Sequence, residues 1–264
     1  LNDVNMIDPF HLEAYGKTTV NYNRDIEIFP VLNAIFEGIY GENTYYKSPT
    51  DMGVNMAGNC IIDDEACQEA SRQEIIRRYY QALNRLAKED DNSDEVYKLK
   101  LLMNQAKITP EMRSGVGPCL KRAEDLSCPA AALELDDGRI VTGKTSDLLG
   151  ASAAVLLNAI KVLGDIPDDV HLIAPSAIEP IQVLKTGYLG SKNPRLHTDE
   201  VLIALSMSAA TDETAKKALA QLPKLRGCQV HTSVMLSNVD IKTFKKLGVQ
   251  LTSEPVYEHK KLYH

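Results

Sequence analysis

Apolar residues recur at three- and four-residue steps from Asp63 to Lys88, "DDEACQEASRQEIIRRYYQALNRLAK". Ala66, Ala70, Ile76, Tyr79 or Tyr80, Leu83 and Leu86 fall on one face, which predicts a long amphipathic helix. Asp63, Asp64 and Glu65 open it, where the positive end of the helix dipole favours carboxylates. "EDDNSDE" breaks the pattern, and Ser93 can cap a second helix through "EVYKLKLLMNQA". Thr109-Pro110 opens a third by the cap-then-proline order, "GVGP" interrupts, and a short amphipathic piece runs to about Leu126. Upstream, "PVLNAIFEGIYG" carries Pro30 at its start and Gly41 at its end, the order expected of a helix. Residues 30–127 therefore read as a small helical bundle, preceded over 1–29 by a polar connector with no clean period.

The pattern turns mixed at "SCPA". "AALEL" and "RIVTG" flank the turn "DDG", and the helical "SDLLGASAAVLLNAIKVLG" follows. Then come a strand "VHLIA", the loop-rich "PSAIEPIQVLKTGYLGSKNPRLHTDE", a helix "VLIALSMSAA" apolar enough to be buried all round, and the helical "TDETAKKALAQL". The strand "CQVHTSVML", a helix capped near Ser237 and the strand "VQLTSEPVY" end the chain. Residues 128–264 read as an α/β (α+β) layer domain with a mixed sheet.

Composition narrows the functional classes. In 264 residues the net charge is −7, and lysine and arginine form no stripe, so neither nucleic acid nor an anionic membrane surface is an expected partner. The longest apolar runs, Val201–Leu205 and Ala151–Ile160, are too short to span a bilayer. Five scattered cysteines suit reduced thiols in the cytoplasm better than a disulfide framework. Cys228-x-x-His231 has no second pair beside it, so no metal site is expected. Leu1 and the abrupt polar opening suggest a piece of a longer protein.

One stretch tests the pattern directly. Gly138, four residues, then Gly143-Lys144-Thr145 spells a phosphate-binding loop. Such a loop needs backbone N–H groups curled around an anion, whereas Ile140, Val141 and Thr142 are β-branched and favour extended backbone. "DDG" is also a hairpin signal, with "LEL" and "RIVTG" as its arms. The hairpin is the expected outcome. Lys144 still stands where a helix begins, beside Thr145 and Ser146 as possible caps, so an anion could dock there. A second "GKTT" at Gly16–Thr19 lacks the required first glycine.

Two polar clusters are candidate sites. "LGSKNPRLHTDE" gathers Ser191, Lys192, Asn193, Arg195 and His197 before an apolar helix; Arg195 offers a forked donor and His197 can titrate. Such a loop suits an anionic small molecule, against the plainer reading of a surface turn capped by Thr198 or Asp199. In the connector, Asp8, His11 and Arg24 combine carboxylate, imidazole and guanidinium, a set able to serve acid–base or phosphate chemistry. Arg72, Gln73 and Arg77 on the long helix read as a solvated, ion-paired face. The chain has no G-x-G-x-x-G, H-E-x-x-H or G-x-S-x-G. Its hairpin–helix–strand order resembles the cytidine-deaminase layer without that family's zinc signature.

The runs "MIDPFHLEAYGKTTVNYNRDIEIFPVL", "SPTDMGVNMAG", "QEIIRRYY", "IVTGKTS" and "LGSKNPRLHTDE" together resemble an uncharacterised bacterial protein family, some of whose members have been loosely labelled ATP-dependent peptidases. The resemblance implies that this chain corresponds to the family's C-terminal half. It also implies that a better phosphate cradle lies upstream, and it carries over no catalytic residue. The expectation is a cytoplasmic nucleotide- or phosphometabolite-binding enzyme whose phosphate loop precedes this chain. The alternative is a non-catalytic oligomerisation module, with the tyrosines of the long helix at a homo-oligomer contact. Residue chemistry leaves the reaction and the cofactor open.

Overall fold

The structure, a computed structural model, describes residues 64–88 and 93–258 and the three positions 35, 38 and 39. The chain divides into two compact units, Leu1–Arg113 and Ser114–His264. In the first, α1 (Asp64–Lys88) packs on α2 (Ser93–Gln105), burying Ile75, Ile76, Tyr80, Leu99 and Leu102. Both helices follow the sequence pattern, but the expected solvated face does not. Gln73, Glu74 and Arg77 are buried, with Arg77 and Arg78 both bonded to Glu74. A helix buried on two sides hides charge only by pairing it. Tyr80 is also buried and stacks obliquely on Tyr79, ring centres 5.8 Å apart.

The second unit is α/β. It starts at α3 (Val116–Leu126), which sequence reasoning assigned to the bundle and interrupted at "GVGP". Pro118 lies in the helix's first turn, where no amide is needed, so the helix runs through it. β1 (Ala130–Glu134) and β2 (Ile140–Lys144) form the expected hairpin, with Ala131 opposite Gly143 and Leu133 opposite Val141. The loop is three residues long. The Gly138 amide donates to the Leu135 carbonyl, and the left-handed Gly138 (φ 80°) then lets the Leu135 amide meet the Arg139 carbonyl. The Lys144-bearing segment is thus a strand in a ladder, not an anion nest.

β3 (Gln229–Thr232) pairs antiparallel with β1, and β4 (Gln250–Ser253) parallel with β3, giving the order β2-β1-β3-β4. The alanines of β1 let helices approach both faces. Ala130 and Ala132 sit under α3, with the Cys119 thiol donating to the Ala130 carbonyl; Ala131 and Leu133 join the larger core under α4 (Ala151–Leu163). A Cβ at Gly143 would lie 2.3 Å from the Val155 nitrogen, so α4 rests on β2 only because that residue is glycine.

Beyond α4, the expected strand "VHLIA" is absent. Leu172 and Ile173 are buried without a ladder, and Pro175 follows as the first residue of α5 (Pro175–Val183). A π-helical turn, Leu184–Tyr188, continues α5, so half of the expected loop is helical. α6 (Thr198–Ser208) and α7 (Glu213–Leu219) come next. α6 is not buried all round, since Ile203 and Met207 are more than half exposed. α8 (Asn238–Leu247) starts at the expected cap, Ser237, and ends at the left-handed Gly248 (φ 75°). No helix among the described residues is long and apolar enough to cross a membrane.

Candidate functional site

A short strap joins the α4 start to the polar loop. Ser146 accepts the amides of Leu148 and Leu149 on its hydroxyl, closing a turn before the helix and not capping it. Leu149 then pairs in parallel with Leu196: the Leu196 amide donates to the Leu148 carbonyl (2.9 Å) and the Gly150 amide to the Leu196 carbonyl (3.4 Å). These bonds hold residues 191–197 beside the first turn of α4.

Between them lies a cavity of about 330 Å³, lined from one side by Thr145, Gly150, Ala151 and Ser152. Gly190 to Asn193, Arg195 to His197, Val234 to Ser237, Asp240 and Glu258 complete it. The N-cap of α4 is Gly150, which has no side chain to satisfy the first-turn amides, and no other described side chain does so. Beside them are two hydroxyls without partners among the described residues. Thr145 is 8% exposed with its Oγ1 buried, and Ser152 is 3% exposed. Buried polar groups are ordinarily paired, so free amides and free hydroxyls on residues that line one cavity are groups awaiting an acceptor.

The opposite wall is satisfied from within. Asp240, on the first turn of α8, accepts the Thr198 amide at the start of α6 (2.9 Å), the Ser237 hydroxyl (2.7 Å) and His197 Nδ1 (2.9 Å). Glu200 accepts the His197 amide and an ammonium hydrogen of the buried Lys185, which also donates to the Arg195 carbonyl. Lys185 lies in the π-helical turn, so its bond to the Arg195 carbonyl ties that turn to the loop. Burial pushes the Asp240 carboxyl up, but its bonds from His197, Thr198 and Ser237 together outweigh that and hold it below the usual range. The same bond from Asp240 raises the His197 imidazole above its ordinary value, against partial burial and nearby Lys185.

Ser237, His197 and Asp240 contain the residue types of a hydrolytic triad in the wrong arrangement. Serine and carboxylate must occupy opposite ring nitrogens. Here Ser237 donates to Asp240 and stands 3.4 Å from the same Nδ1. No nucleophile is activated, and Nε2 is left without a partner among the described residues.

The cavity gathers all five residues singled out in the polar loop, Ser191, Lys192, Asn193, Arg195 and His197. Two of them shape the loop: the Ser191 hydroxyl accepts the Asn193 amide, and Asn193 Oδ1 accepts the Arg195 amide. Arg195 is paired with Glu258. Lys144 is exposed at the end of β2 and does not line the cavity; its neighbour Thr145 does. Asp8, His11 and Arg24 lie outside the described residues. Sequence reasoning named Thr145 only as a possible cap beside a docking anion, and it missed Ser152, Asp240 and Glu258 as site groups. Cys228 and His231 point to separate partners, with His231 bonded to Thr252 and Glu254 on the α3 side of the sheet and Cys228 near Asp136. Burial pushes the Cys228 thiol up to about 11, the reverse of an activated thiolate.

Family comparisons cover both units. The model described as "Domain of unknown function DUF1846, C-terminal" matches residues 111–263, and its N-terminal counterpart matches residues 1–107. A UPF0371 protein of Corynebacterium diphtheriae is 57% identical over 263 residues, covering 100% of this chain and 53% of the relative. One from Corynebacterium glutamicum is 55% identical and one from Streptococcus pyogenes 54% identical, with the same coverage. The chain spans about half the length of the curated relatives it matches. The expectation of a C-terminal half is corrected in one respect: residues 1–107 match the N-terminal model, so the chain carries sequence of both domains.

Proposed function

The chain belongs to the DUF1846 family, and for this member we propose that the second unit binds a phosphate-bearing small molecule, as part of a nucleotide- or phosphometabolite-binding enzyme. One observation carries the reading: the uncapped first turn of α4 shares a cavity with Thr145 and Ser152, whose hydroxyls have no partner among the described residues. Backbone amides at a helix start favour negative charge, and neutral hydroxyls add donors without fixing a counter-charge. Arg195 and His197 on the facing loop supply positive character, partly offset by Glu258 and Asp240. A phosphoryl group suits this donor set, and 330 Å³ leaves room for a small body attached to it.

Calorimetric titration with inorganic phosphate tests the reading. Ser152→Ala should weaken binding roughly 10- to 100-fold, the worth of one hydrogen bond to a charged acceptor, with little change in thermal stability. Unaltered affinity in Ser152→Ala and Thr145→Val would rule out this location.

A second reading, a homo-oligomerisation module, draws support from Val183, Leu184, Tyr188 and Leu189, four exposed apolar side chains on and after α5. Sedimentation of the wild type against Tyr188→Glu tests it; a shift towards monomer in the variant is the supporting outcome.

A further inference from the structure

His197 is held by one edge only. Its Nδ1 is bonded to a buried carboxylate that is itself fixed by the Thr198 amide and the Ser237 hydroxyl, so the ring cannot turn without losing that bond. That bond keeps a proton on Nδ1 and leaves Nε2 as the nitrogen that can exchange one. The residue lines the cavity, its side chain is 27% exposed, and Nε2 bonds to no described residue. His231, fully buried, contrasts with it, having both nitrogens engaged by Thr252 and Glu254.

We propose that His197 is the general acid of this site, with Asp240 as its positioning residue, acting on an oxygen that leaves from the anionic substrate held at the first turn of α4. The inference rests on the phosphate-site reading above. In the step, water attacks the phosphorus and gives its proton to solvent, the bond from phosphorus to the departing oxygen breaks with its electron pair on that oxygen, and the Nε2–H bond breaks, its pair staying on the ring, as the proton joins that oxygen. The neutral imidazole then regains a proton from water. Asp240 stays ionised throughout and stabilises the imidazolium before the transfer. The other charges facing His197 are Glu200 from α6, Lys185 from the π-helical turn, and the Arg195–Glu258 pair and Lys192 at the cavity wall. Lys185 and Glu200 are bonded to each other, which leaves Asp240 as the dominant partner.

Two readouts on the whole chain test this. The first is sulfate affinity by calorimetry, since sulfate keeps its charge over the range used. Between about pH 6 and pH 9 the wild type should lose about tenfold in affinity as the imidazolium contact disappears, while His197→Gln stays flat. The second is the pH profile of acylation of His197 by diethyl pyrocarbonate, read by peptide mass spectrometry. Reaction should set in only above the ordinary histidine range, set in at higher pH still when sulfate is present, and move to lower pH in Asp240→Asn, whose amide oxygen can still cap Thr198. No sulfate binding at any pH would sink the phosphate-site reading itself. Sulfate binding that is flat with pH, or a profile unmoved by Asp240→Asn, would overturn the role of His197 alone.

Discussion

Gly143→Ala separates the two meanings of the Gly143-Lys144-Thr145 spelling. The added Cβ would meet Val155 N at 2.3 Å and Val155 Cα at 2.7 Å, atoms of a helix backbone that cannot swing aside as a side chain could. Ordinary carbon contacts are ~3.5–4 Å, so β2 and α4 must separate by about 1 Å or more. That separation opens the layer formed by Val141, Leu133, Val155 and Leu156, all in the core. Overpacking typically costs about 1–3 kcal/mol, and a backbone clash belongs at the upper end, about 3 kcal/mol. For a unit of this size, that lowers the melting temperature by roughly 6–12 °C. Scanning calorimetry on wild type and variant measures it. Were Gly143 a phosphate-loop glycine, the variant would melt unchanged and lose nucleotide affinity instead, and that result would refute the packing argument.

Three other substitutions follow from the same geometry. Thr145→Val replaces a buried, unpaired hydroxyl with a methyl of the same shape, so chemical denaturation should show a gain of about 1 kcal/mol while phosphate affinity falls. Lys185→Met leaves Glu200 and the Arg195 carbonyl without their ammonium partner. With Glu200 a quarter exposed, the loss should be about 1–2 kcal/mol by urea titration, accompanied by weaker phosphate binding as the loop loosens. For His197→Gln the sign follows from the raised imidazole: the wild type gains stability from this group below the ordinary histidine value and loses it as pH rises through the folded one. The gap in melting temperature between wild type and variant should therefore be widest in mild acid and close in alkali. A gap that widens with pH would refute the assignment.

The parts of the fold that sequence carried were those written in local chemistry. The period of α1, the "DDG" turn, the Ser237 cap and the β-branched run of β2 each bias only their own few residues, and each adopted the expected form. "VHLIA" misled because burial without a ladder leaves the same apolar signature as a strand. "VLIALSMSAA" misled because a helix can leave Ile203 and Met207 in solvent without any mark in its composition. At the site, the loop from Ser191 to His197 was visible as a density of polar types. Its partners were not. Asp240 is 43 residues from His197 and Glu258 is 63 from Arg195, and nothing near either announces the pairing. Ser152 reads as one small residue in an apolar helix; only the missing cap at Gly150 gives it meaning, and that is a property of folded backbone.

The most direct test is a phosphate titration followed on the backbone amides by nitrogen–proton correlation spectra of the isotope-labelled chain. An anion seated at the start of α4 should move the Ala151, Ser152 and Ala153 amides furthest, with Thr145 and His197 following and Gly138 to Thr142 still. Shifts centred on Gly138 to Gly143, or none across either segment, would contradict the account.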